Sequence, residues 1–319
     1  MIKLVSHKKS YRDYILLALA VLFVSTAAVL TKGAQNEGVT SETIAFLRLG
    51  LASICLALFS LKSIYRSVKQ CTADTIVKSA FAGIFLASHF LTWIISLEYI
   101  PVSRSTFLVT TSPIWVAIIS FLFLKEIITR QQVIGITVSV GSALFIFYTE
   151  DSLLGRSNEG FLKGEMLATF GAISIAAYLL IGRTLRNTID LKTYLLLTYG
   201  FATVTLALYR LCGEEDSISS LSTTAWFYVL SLALGPQLIG HTILNWGVRR
   251  FSATIVSMAV LAEPIAASLL AWIIFDEIVG PRGFIGFTGI LFGIVIVIHT
   301  NRFSPSLQID HEIIQSPCE

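Results

Sequence analysis

Long, almost unbroken apolar runs recur along nearly the whole chain, and they leave very few folds open to it. Residues 14–30 and 133–148 are two of them, each close to the roughly 20 residues that an α-helix needs to cross a bilayer core. Within hydrocarbon a segment must satisfy its own backbone, so only helices and closed barrels can span. Barrel strands alternate apolar and polar residues. These runs do not alternate, so they are expected to be helices. Of the 319 residues, 55% are hydrophobic and 13% charged, against roughly 25% charged in an ordinary globular protein. A water-soluble core cannot hide that much apolar surface. The expected fold class is all-α, a polytopic membrane protein with ten transmembrane helices at 13–33, 43–61, 76–97, 102–124, 131–149, 161–182, 192–211, 223–247, 252–275 and 282–300.

Most of the 23 lysines and arginines gather in alternate connections, for example Lys62, Arg66, Lys69 and Lys78, or Arg183, Arg186 and Lys192. Basic residues mark the cytoplasmic side, so both termini are expected to be cytoplasmic in a bacterial inner membrane. Residues 301–319 form a polar tail. A cleaved signal peptide is the other reading of the first run, which follows Lys8, Lys9 and Arg12. The run is longer than a usual signal core, and its removal would leave an odd number of spans. The net charge of +3 is spread over short connections with no basic, aromatic-interleaved face, which argues against nucleic acid as a partner. The cysteines, Cys55, Cys71, Cys212 and Cys318, show no paired spacing, so neither a disulfide framework nor a metal site is expected.

Sliding the chain against itself by 151 positions aligns Pro113 with Pro264, Ile114 with Ile265, Glu126 with Glu277, Gly135 with Gly286 and Thr137 with Thr288, without a gap. Helices four and five thus resemble nine and ten. An offset of five spans, an odd number, sets the two copies upside down in the membrane, the arrangement that supports alternating access around a midplane site. The expected units are residues 1–149 and 150–300, followed by the tail.

The residues that carry this repeat also carry a likeness. With Arg48 inside helix two, Ser96 to Pro101 leading into helix four, Ser112-Pro113 followed by Lys125-Glu126, and Glu263-Pro264 followed by Asp276-Glu277, the chain resembles the EamA branch of the drug/metabolite transporter superfamily over nearly its entire length. The resemblance implies a secondary transporter, often an exporter of amino acids or related metabolites, with a central cavity between the halves. It implies no particular cargo.

Ionisable groups inside spanning helices cost roughly 2.5–3.5 kcal/mol on insertion scales, so each needs a partner or a watery cavity. Arg48 is either a clamp for a carboxylate or phosphate, through its planar fork of donors, or a structural ion-pair member. Glu263 precedes Pro264, which disturbs the helical ladder; it is either a proton-coupling carboxyl or a structural acid at a kink. His89 and Trp93 share a helix face, as do His241 and Asn245 with Trp246 beside them. Each histidine is a candidate for the pathway or a packing residue. Tyr178 and Tyr199 are candidate aromatic walls or core residues, Tyr199 standing at the repeat position of Arg48. Pro113, Pro236 and Pro264 break helices, a feature that frees backbone groups at transporter sites but also merely kinks helices. Glu98, Glu126, Asp276 and Glu277 fall at helix exits, where a solvated or structural role is expected.

The function expected is secondary-active export of a small metabolite, an amino acid or related compound, by alternating access with proton coupling at Glu263. A flippase for a lipid-linked substrate is the alternative within transport. A membrane-embedded enzyme is disfavoured because the chain carries no HExxH, GxSxG or acidic metal cluster, and no cofactor is implied. The expected partners are a small-molecule substrate and membrane lipids, with the chain a monomer or a homodimer.

Overall fold

Five helix starts are fixed by short polar side chains that accept from the otherwise orphaned amides of a first turn. Ser10 caps α1 (Tyr11–Ser25) in a capping box with Asp13, and Thr72 caps α4 (Ala73–Tyr99) by accepting from the Thr75 amide at 3.2 Å. Asp190 caps α9 (Leu191–Arg210), Ser222 caps α10 (Thr223–Leu232) and Ser252 caps α12 (Ala253–Val260). The remaining helices are α2 (Ala27–Asn36), α3 (Ser41–Lys69), α5 (Val102–Thr110), α6 (Ser112–Leu124), α7 (Arg130–Asp151), α8 (Glu159–Leu185), α11 (Thr242–Arg250), α13 (Glu263–Phe275) and α14 (Pro281–Phe303). A π-helical segment, Ala233–His241, joins α10 to α11. This computed structural model describes residues 10–125, 128–151, 159–212, 218–275 and 281–303, and among them there is no strand.

Among the described residues, seven helical stretches are long and apolar enough to cross a membrane: Tyr11–Asn36, Ser41–Leu58, Ala73–Tyr99, Arg104–Leu124, Glu159–Leu185, Leu191–Arg210 and Thr223–Arg250. Ala253–Ala267 and Gly283–His299 are shorter apolar helices, and α7 is a further helix of 22 residues. Large apolar side chains cover the outer face, including Phe123 at 77% exposure and Phe284, Leu162 and Phe227. A soluble protein rarely shows so continuous an apolar surface; lipid is its natural solvent.

Two of the expected spans differ in outline. Residues 13–33 were expected to form one helix, and the chain bends at Thr26, whose hydroxyl bonds back to the Phe23 carbonyl at 2.8 Å and competes with the regular ladder. The second span, expected at 43–61, starts at Ser41 and runs on to Lys69; its added turns contain Lys62, Arg66 and Lys69, residue types with good intrinsic helix preference. Helices four and nine break as the prolines suggested. Thr111 separates α5 from α6, and Leu261 and Ala262 separate α12 from α13, with Pro113 and Pro264 each at the second position of the helix that follows, where a missing amide costs little. The exits at Glu126, Asp276 and Glu277, Cys318 and most of the tail lie outside the described residues.

Element bounds recur along the chain. Moving α7 forward by 151 positions lays it on 281–302, against an observed Pro281–Phe303, and the break at Thr111 falls on Ala262. The equivalent helices α7 and α14 pack directly on each other. Gly135 faces Val297, Ser139 faces Gly293 and Ser142 faces Gly289. Partner numbers fall as α7 numbers rise, so the two helices run antiparallel. Ser139 Oγ donates to the carbonyl of Ile290, its own repeat counterpart, at 3.0 Å.

Candidate functional site

Four chain breaks meet around one buried cavity. The α1/α2 bend brings Val24 and Ala27 to it, the α5/α6 break Thr110 and Ser112, the π-helical segment His241, and the α12/α13 break Val260 and Glu263. Arg48 from α3 and His89, Phe90 and Trp93 from α4 complete its polar and aromatic wall, while Ile175, Leu179, Leu244 and Val256 supply an apolar one. The space in it open to water-sized molecules is about 50 Å³. The lining comes from residues between 24 and 112 and from residues between 175 and 263.

The Arg48 guanidinium is 1% exposed. Its Nε donates to Gln237 Oε1 at 2.8 Å, and its central carbon sits 3.9 Å above the Phe90 ring and 6.0 Å from the Trp93 ring. Aromatic faces attract a desolvated cation, but they supply no acceptor for its N–H groups. Among the described residues Arg48 has no ion pair within 4.0 Å. The guanidinium and the Glu263 carboxyl share the cavity without touching.

His89 Nδ1 lies 3.0 Å from the Gly171 carbonyl. A carbonyl only accepts, so in the neutral ring Nδ1 holds the proton and Nε2 keeps its lone pair. The two helices approach closely here: a β-carbon on Gly171 would stand 3.4 Å from the His89 carbonyl and 3.3 Å from Thr92 Oγ1. The imidazole lies parallel to Trp93 with centroids 6.4 Å apart, and His241 meets Phe90 edge-on at 5.2 Å. Asn245 Nδ2 donates to the His241 carbonyl at 2.7 Å, and its Oδ1 accepts from Tyr178 Oη at 2.8 Å.

Pro236 explains why this wall has its shape. It lacks an amide hydrogen and its ring crowds the carbonyl one turn back, and the ladder relaxes into a π-helical stretch, a form met mostly at functional sites. Gln237 and His241 both lie in it and are both buried. Glu263 is the first residue of α13, where free amides and the helix dipole favour negative charge.

Six residues singled out from the sequence, Arg48, His89, Trp93, His241, Asn245 and Glu263, thus meet at one cavity. Tyr178 and Tyr199 stand one layer behind it: Tyr178 bonds Asn245, and Tyr199 Oη donates weakly to the Gln237 carbonyl at 3.4 Å. Trp246 is turned away from the lining and packs against Phe251, centroids 6.4 Å apart. Sequence reasoning missed Gln237, Phe90 and Thr110. The signal for Gln237 was present, since it follows a mid-helix proline and its repeat counterpart is the apolar Leu86. Glu98, expected at a solvated helix exit, is exposed and accepts from Ser41 Oγ.

The two ends of the bundle are held by polar contacts. At one end Arg104 Nε donates to Glu165 at 2.6 Å, joining α5 to α8, and Lys163 donates to Tyr99 Oη at 2.7 Å. At the other, Arg250 Nε donates to Asp13 at 2.9 Å, joining α11 to α1.

Two stretches, residues 12–148 and 162–299, match the model of the EamA-like transporter family. The chain is 26% identical over 293 residues to the uncharacterized transporter YetK of Bacillus subtilis, covering 89% of this chain and 84% of that one. It is 20% identical over 302 residues to an uncharacterized transporter of Clostridium kluyveri, covering 93% and 96%. One protein of known crystal structure shares the fold, with a TM-score of 0.71 at 16% identity over 92% of this chain and 99% of that one. The apolar helices and the twice-matched family model together make this a multi-pass membrane protein, and the chain belongs to the EamA-like transporter family.

Proposed function

We propose that the chain is a secondary-active carrier that exports a small metabolite, an amino acid or a related compound, across a bacterial inner membrane. In this reading it has ten spans, in two inverted five-helix halves made of residues 1–149 and 150–300, and both termini are cytoplasmic. The observation that carries the proposal is the buried cavity at the level of the helix breaks, lined by Arg48 and His89 from one half and by His241 and Glu263 from the other. A carrier needs a site reached alternately from two sides, and inverted halves provide two related ways of opening. The recurrence of element bounds after 151 positions and the antiparallel α7/α14 pair support the inverted arrangement. Glu263, buried at a helix start beside the cavity, is the group assigned to proton coupling, with Arg48 and the two histidines facing it across the same space.

Purified protein in liposomes, offered a broad set of radiolabelled metabolites with and without an imposed pH gradient, tests this. Selective, gradient-dependent accumulation of a few compounds supports it, and Glu263→Gln is expected to lose the gradient dependence. A preparation that is folded yet moves no compound under any gradient defeats it.

A further inference from the structure

Three buried hydrogen-bond donors at or close to Arg48 have no acceptor. Arginine N–H groups only donate, so the Gln237 side-chain oxygen must be the atom that faces Nε, and its amide nitrogen is turned elsewhere. That Nε2 is buried and has no acceptor. Arg48 Nη1 and Trp93 Nε1 are likewise buried without one. Arg48 and Trp93 line the cavity, and Gln237 is bonded to Arg48, so three free donors from α3, α4 and the π-helical segment lie in one neighbourhood. Buried donors left unpaired are costly and uncommon, and a partly satisfied buried network is worse than an apolar one unless something completes it.

We infer that Arg48, Gln237 and Trp93 form a cradle for the carboxylate of a small monocarboxylate cargo. This deepens the carrier reading and rests on it for the word cargo, though not for the binding site. Charge selects the class. One guanidinium supplies one positive charge, which a carboxylate matches and a phosphate dianion exceeds. Shape agrees, because the two oxygens of a carboxylate accept from a fork of planar donors. The body of the cargo then lies against Phe90, Leu179, Val256 and Val260, and a short aliphatic chain suits that wall.

Thermal unfolding of the purified, detergent-solubilised protein with valerate, valeramide and inorganic phosphate tests the inference. Valerate is expected to raise the midpoint in a saturable way, and valeramide and phosphate to leave it unchanged. Trp93→Phe keeps the ring and removes one donor, and is expected to weaken valerate binding about tenfold. Gln237→Glu is the decisive variant. It places a carboxylate where Arg48 already donates, so the ligand-free protein is expected to melt no lower than wild type while its response to valerate is lost. Equal responses to valerate and valeramide, a response to phosphate, or an undiminished valerate response in Gln237→Glu would each overturn the cradle. Liposome transport separates the two readings. Movement of uncharged or cationic compounds with no valerate binding removes the cradle and leaves the carrier standing, whereas valerate binding with no transport of any compound upholds the cradle and removes the carrier.

Discussion

Replacing Gly293 and Gly141 by alanine, one at a time, should move stability in opposite directions. Both glycines lie in the α7/α14 pair, and both gain roughly 1 kcal/mol of intrinsic helix preference as alanine. They differ in what the new methyl group meets. At Gly293 a β-carbon would stand 2.5 Å from the Gly135 carbonyl oxygen and 2.8 Å from the Ser139 amide nitrogen, with Ser139 Oγ closer still. Two of these atoms are backbone and cannot rotate away, so the helices must part. Forced separation of a packed contact costs about 1–3 kcal/mol, and losing the Ser139 to Ile290 hydrogen bond adds about 0.6 kcal/mol at membrane values. The net expectation is a loss of about 0.5–2.5 kcal/mol for Gly293→Ala. At Gly141 nothing lies within 4 Å of the new atom, so Gly141→Ala should gain up to about 1 kcal/mol. Unfolding followed by circular dichroism against the mole fraction of dodecyl sulfate in mixed micelles would read the difference. Equal midpoints for the two variants, or a more stable Gly293→Ala, would refute the close approach of α7 and α14.

Other substitutions probe the cavity wall and the bundle ends. Gln237→Leu removes the acceptor of a buried charged donor and should cost about 2 kcal/mol in the same micelle assay; a silent variant would mean that Arg48 has another partner. Arg104 and Glu165 are partly exposed, at 24% and 26%, so a double-mutant cycle with Arg104→Gln and Glu165→Gln should give a coupling of about 1 kcal/mol or less, with a larger value refuting the solvent-screened pair. Asp190, outside the spans, is pushed upward by burial, but hydrogen bonds from the Thr193 hydroxyl and from the Thr193 and Lys192 amides, with help from Arg186, outweigh this and hold its carboxyl below the usual 3.8. A lowered folded-state value contributes stability above that ordinary value and loses it as pH falls through the folded one. Asp190→Ala should therefore cost about 1 kcal/mol near pH 7, and the gap from wild type should narrow below about pH 4; a gap that persists unchanged would show that the cap does not act through its charge.

Much of this arrangement is legible in the sequence because a bilayer constrains helices so tightly. Apolar run length marks where helices lie, and the recurrence of Ser112-Pro113 as Glu263-Pro264 marks where two of them break. Counting along spans puts His89 and His241 at a similar depth and sets Arg48 and Glu263 inside their helices. Side-chain direction is a different matter. Trp246 sits one residue from Asn245, and the 100° that separates neighbours on a helix points the two apart. Tyr178 and Tyr199 are close to the cavity in depth, yet each is spent on holding a neighbour. Gln237 escaped because its direction depends on a π-helical stretch, a departure from regular geometry that residue spacing does not encode. The bend at Thr26 escaped for a related reason, since a hydroxyl folding back on its own helix leaves no mark in hydropathy.

Arg48 and Tyr199 occupy corresponding positions in the two repeats, and both reach the single Gln237, one through its side chain and the other through its carbonyl. Ser112 and Glu263 also correspond and differ in charge. In the proposed inverted arrangement, so lopsided a lining makes the two ends of the cavity chemically unequal. A cargo held as proposed, by its head at Arg48, would meet different chemistry at its two ends, so its loading and unloading would be chemically distinct events. In the carrier reading the imposed gradients set the net direction, and the unequal lining sets only how tightly cargo is held in each state.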